Sequence, residues 1–353
     1  MRRSLTPKIL TLLVLCGAAT APVYADRIYQ RGSKEPLKNV TIDKATWEQV
    51  MYKLPGVARA QPIDADDIER IDWESESSSV SKARRNIEAG EFAKAVASLS
   101  AAKGLPGRSG ANAGYLLGLA NLMWGARNES KYNDALKAFD DFIEKHEKDK
   151  EFYVPHAYIG YAEAATALRQ YAQAEAKYKV LADGKMGKSY RRAGQLGQAK
   201  VLVAQEKYSN ARRIFNDVRN DGDAPDEVRA AAHLGYARCQ LGEKQYKEAA
   251  DTVKERLLQP NGSHAPRYGR ILGRAWIVLG DAEAESGGGK DQQEWALIRY
   301  LMAINTQGVE TEELAEAYYK AREMYKKLGR SDKAADMDSR LKKDWPNSCF
   351  AKM

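Results

Sequence analysis

The sequence predicts a mainly α protein: an α-solenoid of about seven helical hairpins with a small N-terminal β module. Three observations carry this. An aromatic residue followed three positions later by alanine returns at nearly constant spacing through most of the chain. Residues 26–74 instead alternate apolar and polar side chains in short runs broken by glycine and proline. The first 25 residues have the make-up of an export leader and are set aside from the fold.

In the leader, Arg2, Arg3 and Lys8 form a positive start, and Ile9 to Ala21 is an apolar stretch too short to span a bilayer. Val23-Tyr24-Ala25 then offers a signal-peptidase site, so cleavage is expected before Asp26. Cys16 follows Leu15, where a lipidation site needs a small residue. The mature chain is therefore expected to be periplasmic or secreted, with no integral membrane span. Removing three basic residues lowers the formal charge from +8 to +5, too weak to point to nucleic acid. Cys239 reads as a small core residue beside Tyr236 and Leu241, and Cys349 lies in the tail; two isolated cysteines are no disulfide framework.

Within 26–74, the runs Asp26–Gln30, Val40–Asp43, Gln49–Lys53 and Ile68–Trp73 predict four or five short strands. Gly32-Ser33, Pro55-Gly56 and Pro62 punctuate them. A small curled antiparallel sheet or barrel of this size buries little apolar area alone, so it should lean on the first helices. In strand rhythm it resembles a module that precedes repeat arrays in secreted bacterial proteins of planctomycete type. Residues 75–82 read as a polar linker that ends in a helix cap, Ser79 or Ser81.

From 83 to 346 the sequence is helical and periodic. The pairs are Phe92/Ala95, Tyr132/Ala135, Tyr171/Ala174, Tyr208/Ala211 and Tyr246/Ala249; Ala296 and Ala334 continue the series with Gln293 and Ser331 in the aromatic place. Successive alanines are 40, 39, 37, 38, 47 and 38 residues apart. An i, i+3 pair shares one helical face, so alanine lets the paired helix approach while the aromatic fills the wedge between units. The preceding helix carries matching positions, as in Trp276–Gly280 and Tyr158, Tyr161, Ala162. Trp345-Pro346 ends the last helix, and 347–353 is a C-terminal tail.

At these residues the chain resembles the tetratricopeptide repeat family, whose unit is a helix–turn–helix of about 34 residues. The resemblance covers about residues 80 to 346. It implies a groove on the first helices of the units that holds an extended or helical segment of another protein. Carried over by register, the groove positions are Leu196 and Lys200, with Arg192 nearby. The units run longer than the family's, with extra residues expected around Trp124–Lys131 and Ser286–Gln293, and Gln195 and Gln198 replace bulky residues. Lys326, Lys327, Arg340, Lys342 and Lys343 look like a polar cap on the open end.

No constellation points to catalysis, a metal or a cofactor. His146, His156, His233 and His264 lack ligand spacing. Ser286–Lys290 lacks the first glycine and the Ser/Thr of a phosphate loop. Asp66-Asp67 and Asp140-Asp141 are neighbours in sequence and so do not face one another. Asn39, Asn128 and Asn261 begin glycosylation tripeptides, which matter only in a eukaryotic host. One charge feature stands out: residues 185–220 hold nine basic against two acidic side chains, a net +7. It reads either as a solvated outer face or as a surface for an anionic partner such as an envelope polymer or lipid. Aromatics are not interleaved as single-stranded nucleic acid requires. The expected function is an exported, non-enzymatic scaffold that binds protein or peptide partners.

Overall fold

The computed structural model describes residues 26–353 apart from 32, 34, 75, 259–268, 310 and 347. The leader, His264 and the tripeptide at 261–263 lie outside the described residues. Strands β1 (Asp26–Gln30), β2 (Leu37–Ala45), β3 (Gln49–Lys53), β4 (Gln61–Asp64) and β5 (Ile68–Asp72) form one antiparallel sheet in the order β4-β3-β2-β1-β5. It is an open sheet, with β4 and β5 at its edges. The period-two pattern buries Ile28, Val40, Ile42, Val50, Ile63 and Ile71 together and leaves Arg27, Thr41 and Asp43 in solvent.

Seven hairpins follow among the described residues: α1 (Ser78–Glu88) with α2 (Phe92–Ala102), α3 (Gly107–Gly125) with α4 (Ser130–His146), and α5 (Val154–Ala167) with α6 (Tyr171–Ala182). Next come α7 (Lys188–Ala204) with α8 (Tyr208–Arg219), and α9 (Asp226–Gly242) with α10 (Tyr246–Val253), which runs into a π turn over Lys254–Leu258. Last are α11 (Gly269–Glu285) with α12 (Gly289–Asn305) and α13 (Thr311–Lys327) with α14 (Ser331–Asp344). No described helix is long and apolar enough to cross a membrane.

Two local expectations are corrected. The first helix begins earlier than the serines at 79 and 81: Ser77 is the extended N-cap residue, and its N–H donates to Ser109 Oγ at 3.0 Å. No extra loop lies at Ser286–Gln293, because helix α12 already starts at Gly289. The glycine run there is a turn over 286–288, as short as those in most other hairpins. The long spacing between Ala249 and Ala296 arises earlier, between the end of α10 and the start of α11.

Five hairpin turns share one geometry. A residue in the left-handed region follows each first helix: Gly90, Arg169, Glu206, Lys244 and Gly329, with φ between +58° and +73°. The next N–H then donates back five residues, Glu91 to Asn86, Gln170 to Ala165, Lys207 to Leu202, Gln245 to Gln240 and Arg330 to Tyr325, at 2.8–2.9 Å. Arginine, glutamate and lysine accept a conformation that glycine adopts more readily, so packing of the two helices overrides local preference there.

The alanines fit their role: Ala95, Ala135, Ala174, Ala211, Ala249 and Ala296 have no exposed surface. The aromatics three positions before them are mostly half-buried near the turns, and in four units a deeper ring sits four positions after the alanine: Phe139, Tyr178, Phe215 and Tyr300. Phe139 lies between two glycines, where a Cβ on Gly118 or Gly160 would come within 2.5 Å and 2.4 Å of its ring. Tyr178 faces Gly197 and Phe215 faces Gly235 in the same way. These ring-on-glycine contacts set how closely successive hairpins stack. Consecutive odd-numbered helices pack on one another from α1 to α13, and consecutive even-numbered helices touch less among the described residues. The array therefore curves with the odd-numbered helices on its inner side.

The sheet does not sit at the head of the array as a separate bead. It lies along one edge, against the starts of α3, α5 and α7, and its core is continuous with theirs. Arg108 at the start of α3 donates to the Ile42 carbonyl. Trp73 donates its indole N–H to Tyr153 Oη at 2.8 Å, just before α5. The Asp66 carboxylate accepts from the N–H groups of Lys188 and Ser189, at 2.7 and 3.3 Å, and so caps α7 from a distant part of the chain. Gly187, at φ +108°, makes room for it; a Cβ there would stand 2.7 Å from Asp66 Oδ1.

At this seat Tyr115 stacks on Tyr153 with centroids 4.4 Å apart, and His156 packs edge-on to Tyr190 at 5.3 Å. Burial, aided by the charge of Arg31 and opposed by a hydrogen bond with the Phe152 backbone, lowers the His156 pKa to about 4. Its unfolded value is near 6.5, so the unfolded chain takes up the proton first as pH falls. The stability this histidine contributes is complete above about pH 6.5 and is lost towards pH 4, by no more than about 3 kcal/mol. His156→Gln should flatten the fall of melting temperature between those pH values; an unchanged slope would exclude His156 as its source.

Candidate partner-binding groove

The inner side of the array is built by helical periodicity. On α7, Leu196, Lys200 and Val203 share one face at i, i+4, i+7 spacing. Arg238 and Leu241 of α9, Arg274, Ile277 and Asp281 of α11, and Glu316 of α13 continue the surface. A cavity of about 240 Å³ opens here, with Val203, Leu241, Ile277 and Val278 as apolar walls and Arg238, Arg274, Asp281 and Glu316 as its charged lining.

Charge on this surface is almost wholly matched. Arg274 pairs with Glu313, and Lys320 bridges Asp281 at 2.7 Å and Glu316 at 3.5 Å. Tyr300 Oη donates to Asp281 at 2.9 Å. Arg238 differs: it is exposed and makes no direct hydrogen bond or ion pair to the described residues, but it shares the cavity with Asp281 and Glu316, whose carboxylates attract it from farther off. The protein crowding it, with Arg274 nearby, holds its pKa below the usual value. A guanidinium offering five donors over an apolar floor is suited to a carboxylate, taken bidentately.

The three residues named from sequence part ways here. Lys200 is exposed and lies one turn from Val203, on the groove face. Leu196 is half-buried against the cluster around Phe215, so it serves packing as well. Arg192 is corrected: only 5% of it is exposed, and its Nε donates to Asp221 Oδ2 at 2.8 Å. That hydrogen bond is the main reason the Asp221 carboxyl is held below its usual pKa, so the pair stays ionised. Arg192 ties α7 to the turn before α9 and is not offered to a partner.

The basic run also changes meaning. Lys185 pairs with Asp183, Lys188 with Asp223, Arg191 with Asp221 and Arg212 with Glu243. Those acids flank residues 185–220, and helix packing folds them back onto it. Arg219 lies 3.7 Å over the Tyr236 ring. Five of the nine basic side chains thus pair with four acids from outside the run, which lowers its excess positive charge. Arg238 was not visible in the sequence as a site: it adjoins the core residue Cys239, and nothing in its run of α9 marks it as facing the cavity.

Among the described residues no group of three or more His, Cys, Asp or Glu side chains is placed to hold a metal ion. No protein-family model matches the chain, and no curated protein matches it. Solved structures do. A tetratricopeptide repeat protein from Parabacteroides merdae superposes with a TM-score of 0.53 at 15% identity, over 78% of this chain and 96% of its own. PilF of Pseudomonas aeruginosa is similar over 69% of this chain and 95% of its own, at 14% identity and a TM-score of 0.41. The apo quorum sensor NprR of B. thuringiensis is similar over 75% and 86%, at 12% identity and a TM-score of 0.44. The first of these likenesses establishes the fold: the helical part of the chain has a solenoid fold like that of tetratricopeptide-repeat proteins.

Proposed function

We propose that this protein is an exported, non-enzymatic scaffold that holds a segment of another protein against the inner face of its repeats. The single observation that carries the reading is Arg238, a guanidinium with no direct ion pair in a cavity whose carboxylates, Asp281 and Glu316, are both bound by Lys320. It would receive an acidic side chain or a chain-terminal carboxylate flanked by an apolar residue. The tetratricopeptide-repeat fold supports the class of partner by analogy only. Export, to the periplasm or beyond the cell, rests on the leader pattern; sequencing of the mature chain should begin at Asp26, and an intact Met1 would remove that part.

The groove is tested by placing a photo-crosslinking residue at Leu241 in producing cells and, as a control, at the outward Ala172. A small, reproducible set of proteins should join Leu241 and not Ala172, and Arg238→Glu should lower that yield about tenfold or more, the cost of losing one charged hydrogen-bonded contact. Arg238→Gln, which removes the charge without adding a carboxylate beside Asp281 and Glu316, should lower the yield in the same direction and leave the melting temperature nearly unchanged. Arg192→Glu should lower it clearly, because it sets a carboxylate beside Asp221 in a buried site. Equal capture at both positions, insensitive to Arg238, would sink the groove reading.

A further inference from the structure

The repeats supply an internal standard for a solvated outer face. The residue just before the signature alanine of each second helix is Lys94, Asp134, Gln173, Asn210, Glu248 and Lys333 in six units, polar every time. In the sixth hairpin it is Trp295. Two further outward positions on the same helix carry Ile298 and Met302, where the fourth unit has Arg213 and Asp217. All three are exposed, by 51%, 41% and 37%. Their 3-then-4 spacing is the seam of a two-helix contact, apolar over two turns.

We propose that this ridge of α12 is a self-association surface, where two copies of the chain lay their α12 helices antiparallel about a two-fold axis. In that register Ile298 of each copy meets Met302 of the other, and Trp295 meets Asn305. The ends match chemically. Asn305 Nδ2 donates to the Leu301 carbonyl of its own helix at 2.7 Å, which leaves Oδ1 as an acceptor. The Trp295 indole N–H has no hydrogen-bond partner among the described residues and is the donor that fits it.

The flanks favour a second copy over a foreign helix. Arg299 lies across the ridge, 5.1 Å over the Trp295 ring and 3.9 Å from Met302 Sδ. It binds Glu283 at 3.2 Å, an acid it shares with Lys254, and Glu294 is paired with Arg330 at 2.8 Å. An isologous contact brings identical flanks together, and flanks already paired within their own chain do so without repulsion. The apolar ridge is short against the roughly 800 Å² per partner of a stable interface, so the dimer should be weak, with Kd on the order of micromolar.

Sedimentation velocity of the full chain from about 1 to 100 μM reads this directly. The expected result is a reversible monomer–dimer equilibrium. Ile298→Glu should weaken association at least tenfold and leave the melting temperature unchanged, since the side chain is exposed. Met302→Lys should do likewise, and an equimolar mixture of the two variants should regain the dimer by pairing the introduced charges. A chain that stays monomeric throughout, or a dimer that survives Ile298→Glu, overturns the proposal. Variants that dissociate singly but do not recover when mixed overturn the antiparallel register, and with it the contact proposed.

Discussion

Phe139→Ala should destabilise the array by about 3–5 kcal/mol, the loss typical of a buried aromatic. The ring has no exposed surface and is gripped between α3 and α5 at Gly118 and Gly160. Neither glycine has a side chain that can move into the space, so the cavity persists instead of collapsing. Tyr115, 6.2 Å away between ring centroids, also loses a neighbour. Because a solenoid is stabilised unit by unit, the loss should appear first as opening of the second and third hairpins. Urea denaturation and hydrogen exchange measure it. A loss below about 1 kcal/mol would show that the ring-on-glycine contacts do not set the stacking.

Trp73→Ala should cost a comparable amount, about 3–5 kcal/mol, and act on two elements that are distant in sequence. Only 4% of Trp73 is exposed; its indole N–H is bonded to Tyr153, and Arg108 stacks on its ring at 4.5 Å. Truncation removes the packing and leaves the buried Tyr153 hydroxyl without that donor. Exchange should accelerate together in β1, β5 and the first turn of α5. Trp73→Phe, which keeps most of the volume, should recover more than half of the loss. Acceleration confined to the sheet would mean that the β module is an independent unit resting on the helices, contrary to the shared core.

The repeat was legible because each hairpin is a local structure with its own signature. The alanines at close helix contacts appear at the expected places, fully buried. The Phe139, Tyr178 and Phe215 positions were less visible, since a glycine in a helix gives no hint of which ring, from which hairpin, will cover it. The Ser286–Gly289 run misled for a related reason: glycines read as loop, and the start of α12 at Gly289 follows from packing. The candidate site was half legible. Helical register put Leu196 and Lys200 on or beside the inner face, whereas Arg192 was claimed by Asp221, an acid 29 residues further on.

The sequence by itself determined the periodic helical architecture and a small strand-rich segment ahead of it, because local periodicity and turn chemistry repeat within each unit. Tertiary structure alone decided where that strand-rich segment rests, with Asp66 capping α7 across more than a hundred residues. It also decided which cations remain available. Charge counted along a chain ignores the acids that folding brings alongside, so five of the nine basic residues in that run pair with acids from outside it, while the unremarked Arg238 makes no direct ion pair.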